Sequence, residues 1–303
     1  MNAIAQPAPR AASALAIALA LAAVYTLWGS TYLAIRFALP GYPPFLLGAC
    51  RMAIAGTLMF VVLRRRGEPA PTRAQWRTLA VLAIFMVLLS NGFVNLAETQ
   101  VSSGLAAIAV ASMPLFAGVF AMLRGRHPSR MEWVGLIVGF AGVVWLSAGG
   151  ALSGSPLGLV CLVIAPLAWA WGSIWSRDRD LPAPFMSAAC QMMLGSVWML
   201  AAALVHGERF AGVPPWSATA AMLYLVVAGS IFGFTAYIWL LHHVRPALAT
   251  SYAYVNPPLA VLLGALIGGE AFTAHDLGAM AVILAGVVLI TLAKARAGAN
   301  GGR

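Results

Sequence analysis

Residues 13–35 read SALAIALALAAVYTLWGSTYLAI, and residues 156–175 read PLGLVCLVIAPLAWAWGSIW. Each run approaches or exceeds the roughly 20 apolar residues that a bilayer-spanning helix needs. Each also carries Trp-Gly-Ser, as Trp28-Gly29-Ser30 and as Trp171-Gly172-Ser173, 143 residues apart. The length says membrane helix. The repetition says that one unit has been used twice.

Working outward from these two runs, the same offset returns along the chain. Pro44 and Phe45 return as Pro184 and Phe185, and Cys50-Arg51 meets Cys190-Gln191. Gly104 to Pro114 aligns with Ala247 to Pro257, and Ala141-Gly142-Val143-Val144 with Ala285-Gly286-Val287-Val288. Single matches mean little in so apolar a chain; several in consistent order mark a duplication.

The apolar runs number ten, at 13–35, 44–63, 76–96, 101–123, 131–148, 156–175, 184–206, 216–240, 246–268 and 275–293. Pro, Gly or charge separates them, and no stretch alternates apolar and polar residues as a strand would. The first run continues past Trp28 without a polar break, so it reads as a retained helix and not a cleaved leader. The expectation is an all-α integral membrane protein, with a tail at 1–12, five-helix repeats at 13–148 and 156–293, and a tail at 294–303. Five is an odd number, so the second repeat enters the membrane from the opposite side. Inverted repeats are the architecture of many secondary transporters.

Composition agrees. Hydrophobic residues make up 62% of the chain and charged residues 9%, against roughly 25% charged in soluble domains. The net charge of +10 would suit nucleic acid, but the basic residues cluster in short loops without aromatic interleaving, which excludes that partner. Fifteen of the 18 Lys and Arg fall on one alternate set of loops and termini, two (Arg36 and Arg209) on the other, and Arg51 inside a span. By the positive-inside rule both termini are cytoplasmic. Cys50, Cys161 and Cys190 form no CxxC pair, and neither a metal site nor a cofactor motif is present.

Polar groups at bilayer depth are costly and mark function or interhelical contact. Arg51 lies about 10 Å into the second span at 1.5 Å per residue; it could anchor a substrate carboxylate or bind carbonyls at a helix break. Asn91, Asn95 and Glu98 are spaced for one helical face, with Glu98 near the outer end, within reach of water, as a possible proton-coupling carboxylate. Trp28 and Tyr32, Ser173, Tyr237, and Tyr252 with Asn256 complete the expected substrate-binding set, combining apolar area with hydrogen bonds. Pro114 and Pro257 occupy equivalent positions and are expected to kink their helices as gates. Gly135/Gly139 and Gly264/Gly268 allow close helix approach.

Trp28 to Tyr32, Pro44, Arg51, Asn91 to Gly104, Pro114, Ala247 to Pro257, Gly269 and Glu270 together resemble the EamA-type branch of the drug/metabolite transporter superfamily. The likeness runs over about residues 13 to 293. It implies ten helices as an inverted repeat and a central cavity open to one side at a time. It further implies export of amino acids, other metabolites or drug-like compounds across a bacterial inner membrane. One departure stands out: the small four-helix exporters of this superfamily carry a Glu in their first helix, and this chain has no carboxylate in its first or sixth span. The expected partners are the bilayer, a small-molecule substrate and, as a candidate coupling ion, the proton. The rival readings are a non-transporting receptor or scaffold, a channel, and an intramembrane enzyme. The enzyme lacks a base, because His127, His206, His242, His243 and His275 all fall at span ends or in loops.

Overall fold

The computed structural model describes residues 13–125, 129–148, 155–244, 246–249 and 251–300. The expected tail at 1–12, with Arg10, and the loop residues Arg126, His127, Arg245 and Arg303 lie outside the described residues. Within them the chain is all helix, with no strand.

Ten helical rods follow one another. They are α1 (Ala14–Ala38), α2 (Pro44–Arg65), α3 (Arg73–Ala97), α4 (Ser103–Leu123) and α5 (Arg130–Ala148), then α6 (Pro156–Asp178), α7 (Pro184–His206), α8 (Trp216–His243), α9 (Tyr252–Leu266) and α10 (Ala274–Asn300). Among the described residues, eight are long and apolar enough to cross a membrane; α9 is a shorter apolar helix and α5 falls outside that group. Helix α10 runs on into the expected tail as far as Asn300. Starts are set by local chemistry. Pro opens α2, α6 and α7, where its missing N–H costs nothing. Thr72 and Gln75 form a capping box on α3. Ser129 with Glu132 and Thr273 with Asp276 cap α5 and α10 in the same register of the two repeats.

The repeat governs the packing. Helix α2 lies antiparallel along its repeat mate α7, and α5 along its mate α10. Small residues let these backbones meet. A Cβ on Gly56 would stand 2.8 Å from Met193 N, and one on Gly286 would stand 2.5 Å from Gly139 Cα. The Gly135/Gly139 motif is thus consumed inside the chain. Val144, Val205 and Leu266 stand exposed on the outside of the bundle. An apolar face of that kind suits lipid, and buried backbone pairing within helices suits it too.

Three irregularities position the interior. Helix α1 breaks at Ser30, whose hydroxyl donates to Thr26 O at 2.6 Å and pairs with the Tyr224 hydroxyl at 2.6 Å. Helices α3 and α8 each contain a π-helical stretch, Ile84–Gly92 and Leu225–Phe232, starting 141 residues apart and so at matching points of the repeats. Helix α4 breaks at Ala111 and Ser112, directly after Val110, whose carbonyl Pro114 would crowd. Pro257 and Pro258 lie inside α9, and an interruption in that arm falls at Ser251, after the short turn Pro246–Ala249.

Candidate functional site

A cavity of about 120 Å³ lies where both repeats meet. Helix α1 supplies Trp28, Thr31, Tyr32 and Ile35. Helix α2 supplies Arg51, and α3 supplies Ser90, Asn91 and Val94. Val110 and Met113 of α4, Pro166 and Trp169 of α6, Phe234 of α8, and Tyr252 and Asn256 of α9 close the ring. Every irregular helix named above has a residue in this wall or touching it.

The aromatic side is a packed cluster centred on Trp28. Its ring lies 5.4 Å from Phe234, 5.1 Å from Tyr237 and 4.8 Å from Tyr252, while Tyr237 meets Tyr252 edge-on at 5.5 Å. Such edge-to-face contacts hold ring orientation. The Trp28 indole N–H donates to Gly229 O at 3.0 Å, inside the π stretch of α8.

The polar side is built on Arg51. Its Nε donates to Ser230 Oγ at 2.8 Å, and both residues are buried. Arg51 therefore neither snorkels nor floats. One edge is fixed on α8, and the guanidinium still borders the cavity. Asn91 Nδ2 donates to Met86 O at 2.8 Å, five residues back within the π turn. Asn256 Oδ1, buried and on the cavity wall, has no hydrogen-bond partner among the described residues.

Several expected residues sit elsewhere. Asn91 and Asn95 part company: Asn91 lines the cavity and Asn95 does not. Asn95 is 2% exposed and its Nδ2 donates to Pro44 O at 3.1 Å, which ties α3 to the start of α2. Ser173 lies half-buried on α6 outside the cavity wall, and Tyr237 supports the wall from behind. Pro114 and Pro257 are neighbours of wall residues, not part of the wall.

Glu98 also departs from expectation. It follows the last residue of α3 and is 3% exposed, so water does not bathe it. Among the described residues neither carboxylate oxygen has a hydrogen-bond partner. Burial pushes the carboxyl well above the usual carboxylate range, and nearby Glu270 adds to this, while Arg36 and Arg51 pull the other way. Glu270 itself accepts from Ser103 N at 2.9 Å and Gly104 N at 3.2 Å at the start of α4, and pairs with Arg36 Nε at 3.3 Å.

Residues that sequence reading left out of the substrate set include Thr31, Ser90, Pro166, Trp169 and Phe234. Pro166, in the middle of a span, was the signal available for α6.

A model of the EamA-like transporter family matches residues 14–148 and again residues 156–292. The uncharacterized inner membrane transporter YedA of Escherichia coli (strain K12) is 40% identical over 276 residues, covering 91% of this chain and 90% of that protein. The uncharacterized transporter YvbV of Bacillus subtilis (strain 168) is 26% identical over 286 residues, covering 92% and 93%. A solved crystal structure at 20% identity superimposes with a TM-score of 0.64 over 94% of this chain and 99% of that one, a likeness of fold. These relatives are named as transporters and not as enzymes.

Proposed function

Because the chain belongs to the EamA-like transporter family, we propose that it is a secondary carrier exporting a small amphipathic metabolite by alternating access. In this reading ten helices span a bacterial inner membrane as two inverted five-helix units, 13–148 and 156–293, and both termini are cytoplasmic. The cavity at the junction of the two repeats is the observation that carries it.

The cavity argues for the solute's chemistry. About 120 Å³ is far below the roughly 300–1,000 Å³ of drug-sized sites, so a solute of amino-acid size fits better than a large drug. Arg51 offers a cation for a carboxylate, Asn256 Oδ1 an acceptor for an N–H donor, and Trp28, Phe234 and Tyr252 an apolar wall. Buried polar atoms left open in this way reject solutes lacking the matching group. Glu98 is the residue we assign to carry a coupling proton. It is enclosed, unpartnered, and close enough to Arg51 and Tyr32 for its charge to be felt at the site.

The test is counterflow of labelled amino acids and amphipathic amines into vesicles reconstituted with the protein, with and without a pH gradient. Accumulation of a carboxylate-bearing solute above empty vesicles is the expected result. A broad panel with no uptake would sink the carrier reading and favour a receptor. Accumulation indifferent to the pH gradient would remove Glu98 from the coupling role.

A further inference from the structure

Helices α2 and α7 are repeat mates that pack antiparallel, so the end of each lies beside the start of the other. Both end in the same way. Gly67 and Gly207 adopt positive φ, 86° and 73°. The next residue turns its N–H back on the helix, Glu68 N to Leu63 O at 3.1 Å and Glu208 N to Ala203 O at 2.8 Å. This is the Schellman stop, and only glycine takes its left-handed position without strain. Each stop thus delivers a glutamate, Glu68 or Glu208, at a constant offset of 140 residues. The helix starts share that offset: Pro44-Phe45-Leu46 and Pro184-Phe185-Met186.

Only one of the two glutamates is engaged. Glu208 reaches across to the start of α2 and accepts from Phe45 N at 3.1 Å and Leu46 N at 2.9 Å. Its side chain is 4% exposed. At the opposite end of the pair, among the described residues, no side chain accepts from Phe185 N or Met186 N, and Glu68 stands half-exposed. A helix start offers free N–H groups and a partial positive charge, so it holds a carboxylate well. The unengaged pair has the same parts, and Leu63 near the end of α2 packs on the cluster that holds Met186 at the start of α7.

We infer that Glu208 and Glu68 are paired positioning residues of the transport cycle. Glu208 latches α2 at one end of the bundle in the state seen here, and Glu68 latches α7 at the other end in the opposite state. This rests on the alternating-access reading. Inverted repeats reach the second state by exchanging conformations between halves, and the exchange converts one latched end into the other. Glu270, the other carboxylate on a helix start, is not part of the pair. In the register that matches Thr273 with Ser129 its counterpart is Arg126, a residue of opposite charge.

The experiment measures spin-label distances across each end of the bundle in reconstituted membranes. One label pair sits at Pro40 and Gly212, the other at Ala70 and Leu181, with Glu208→Gln, Glu68→Gln and the double substitution placed behind each. In the state that each glutamate latches, Gln leaves one uncharged oxygen where two charged ones accepted, so the ratio of the two states should move about tenfold. Glu208→Gln should move it away from the state seen here, Glu68→Gln toward it, and the double variant back near the starting ratio. Glu68→Gln breaks no bond in the present state, so its effect does not depend on surviving a folding defect. A wild-type chain that populates two distances while Glu68→Gln shifts nothing, or shifts with the same sign as Glu208→Gln, overturns the latch alone. A wild-type chain fixed at one distance at both ends, with and without solute, overturns alternating access and the latch together.

Discussion

Replacing Arg51 by Gln separates the two things this side chain does. Gln is the residue at the equivalent position of the second repeat, Gln191, so a long polar side chain is tolerated at that depth in this fold. In the structure Arg51 Nε donates to Ser230 Oγ at 2.8 Å, with both residues buried. A hydrogen bond involving a charged group contributes about 1.5–3 kcal/mol. The double-mutant cycle with Ser230→Ala should therefore give a coupling of about 1–2 kcal/mol in stability, read from unfolding in detergent micelles. Transport adds the second term. If the free edge of the guanidinium holds a solute carboxylate, its loss raises the KM for that solute about tenfold or more, since about 1.4 kcal/mol is a factor of ten. The corresponding amide, which has no anion to lose, should be affected only through the stability term. Equal loss for carboxylate and amide, matched by Ser230→Ala alone, would refute the binding role and leave Arg51 as a strut between α2 and α8.

Gly286→Ala should destabilise the α5–α10 pair by about 2 kcal/mol or more, because its Cβ would stand 2.5 Å from Gly139 Cα, and backbone cannot step aside; thermal unfolding would show it, and an unchanged midpoint would mean the two helices do not meet there. Glu98→Gln should change the pH profile of stability. A carboxyl held above its ordinary value near 4.5 binds its proton more tightly when folded, so wild-type stability is full below that pH and falls as pH rises toward the folded value. The Gln variant should match wild type near pH 4 and exceed it at pH 8. Parallel pH profiles would refute the enclosed, neutral carboxyl.

The membrane class and the duplication were legible because both are periodic properties of long segments: apolar runs of bilayer length, and matches recurring at one offset. Helix ends were legible where Pro, Gly or a capping pair marks them. The site was legible in part. Trp28, Tyr32, Arg51, Asn91, Tyr252 and Asn256 reach the cavity wall, and each was noticed as a polar or amphipathic group too deep for comfort. What sequence could not give is where the helix departs from 3.6 residues per turn. The spacing of Asn91, Asn95 and Glu98 assumed a regular α-helix, whereas α3 is π-helical over Ile84–Gly92 and the Asn95 amide is taken up by Pro44 O. Glu98 was expected in water because the end of a span is normally wet, and it is enclosed by its neighbours instead. That enclosure is tertiary and leaves no mark on a single segment.

The two π stretches also explain why a duplicated fold makes an unduplicated site. Inside a bilayer every backbone group needs a partner from the protein, and a π turn disturbs the i to i−4 ladder that normally supplies one. The repeats meet this need differently. In α3 the carbonyl of Met86 accepts from Asn91, a residue of the same helix. In α8 the carbonyl of Gly229 accepts from Trp28, and Ser230 accepts from Arg51, both donors from the other repeat. In each π stretch one carbonyl takes a side-chain donor, from the same helix in α3 and from across the repeat interface in α8. Helix α8 is therefore stitched to α1 and α2 at the level of the cavity, whereas the side-chain bond from the second half to α3, Trp198 Nε1 to Ala80 O, falls before its π turn. A solute that competes for Arg51 or moves Trp28 would act on the α8 stitch directly, so binding and the relative position of the two halves are linked through the same two hydrogen bonds.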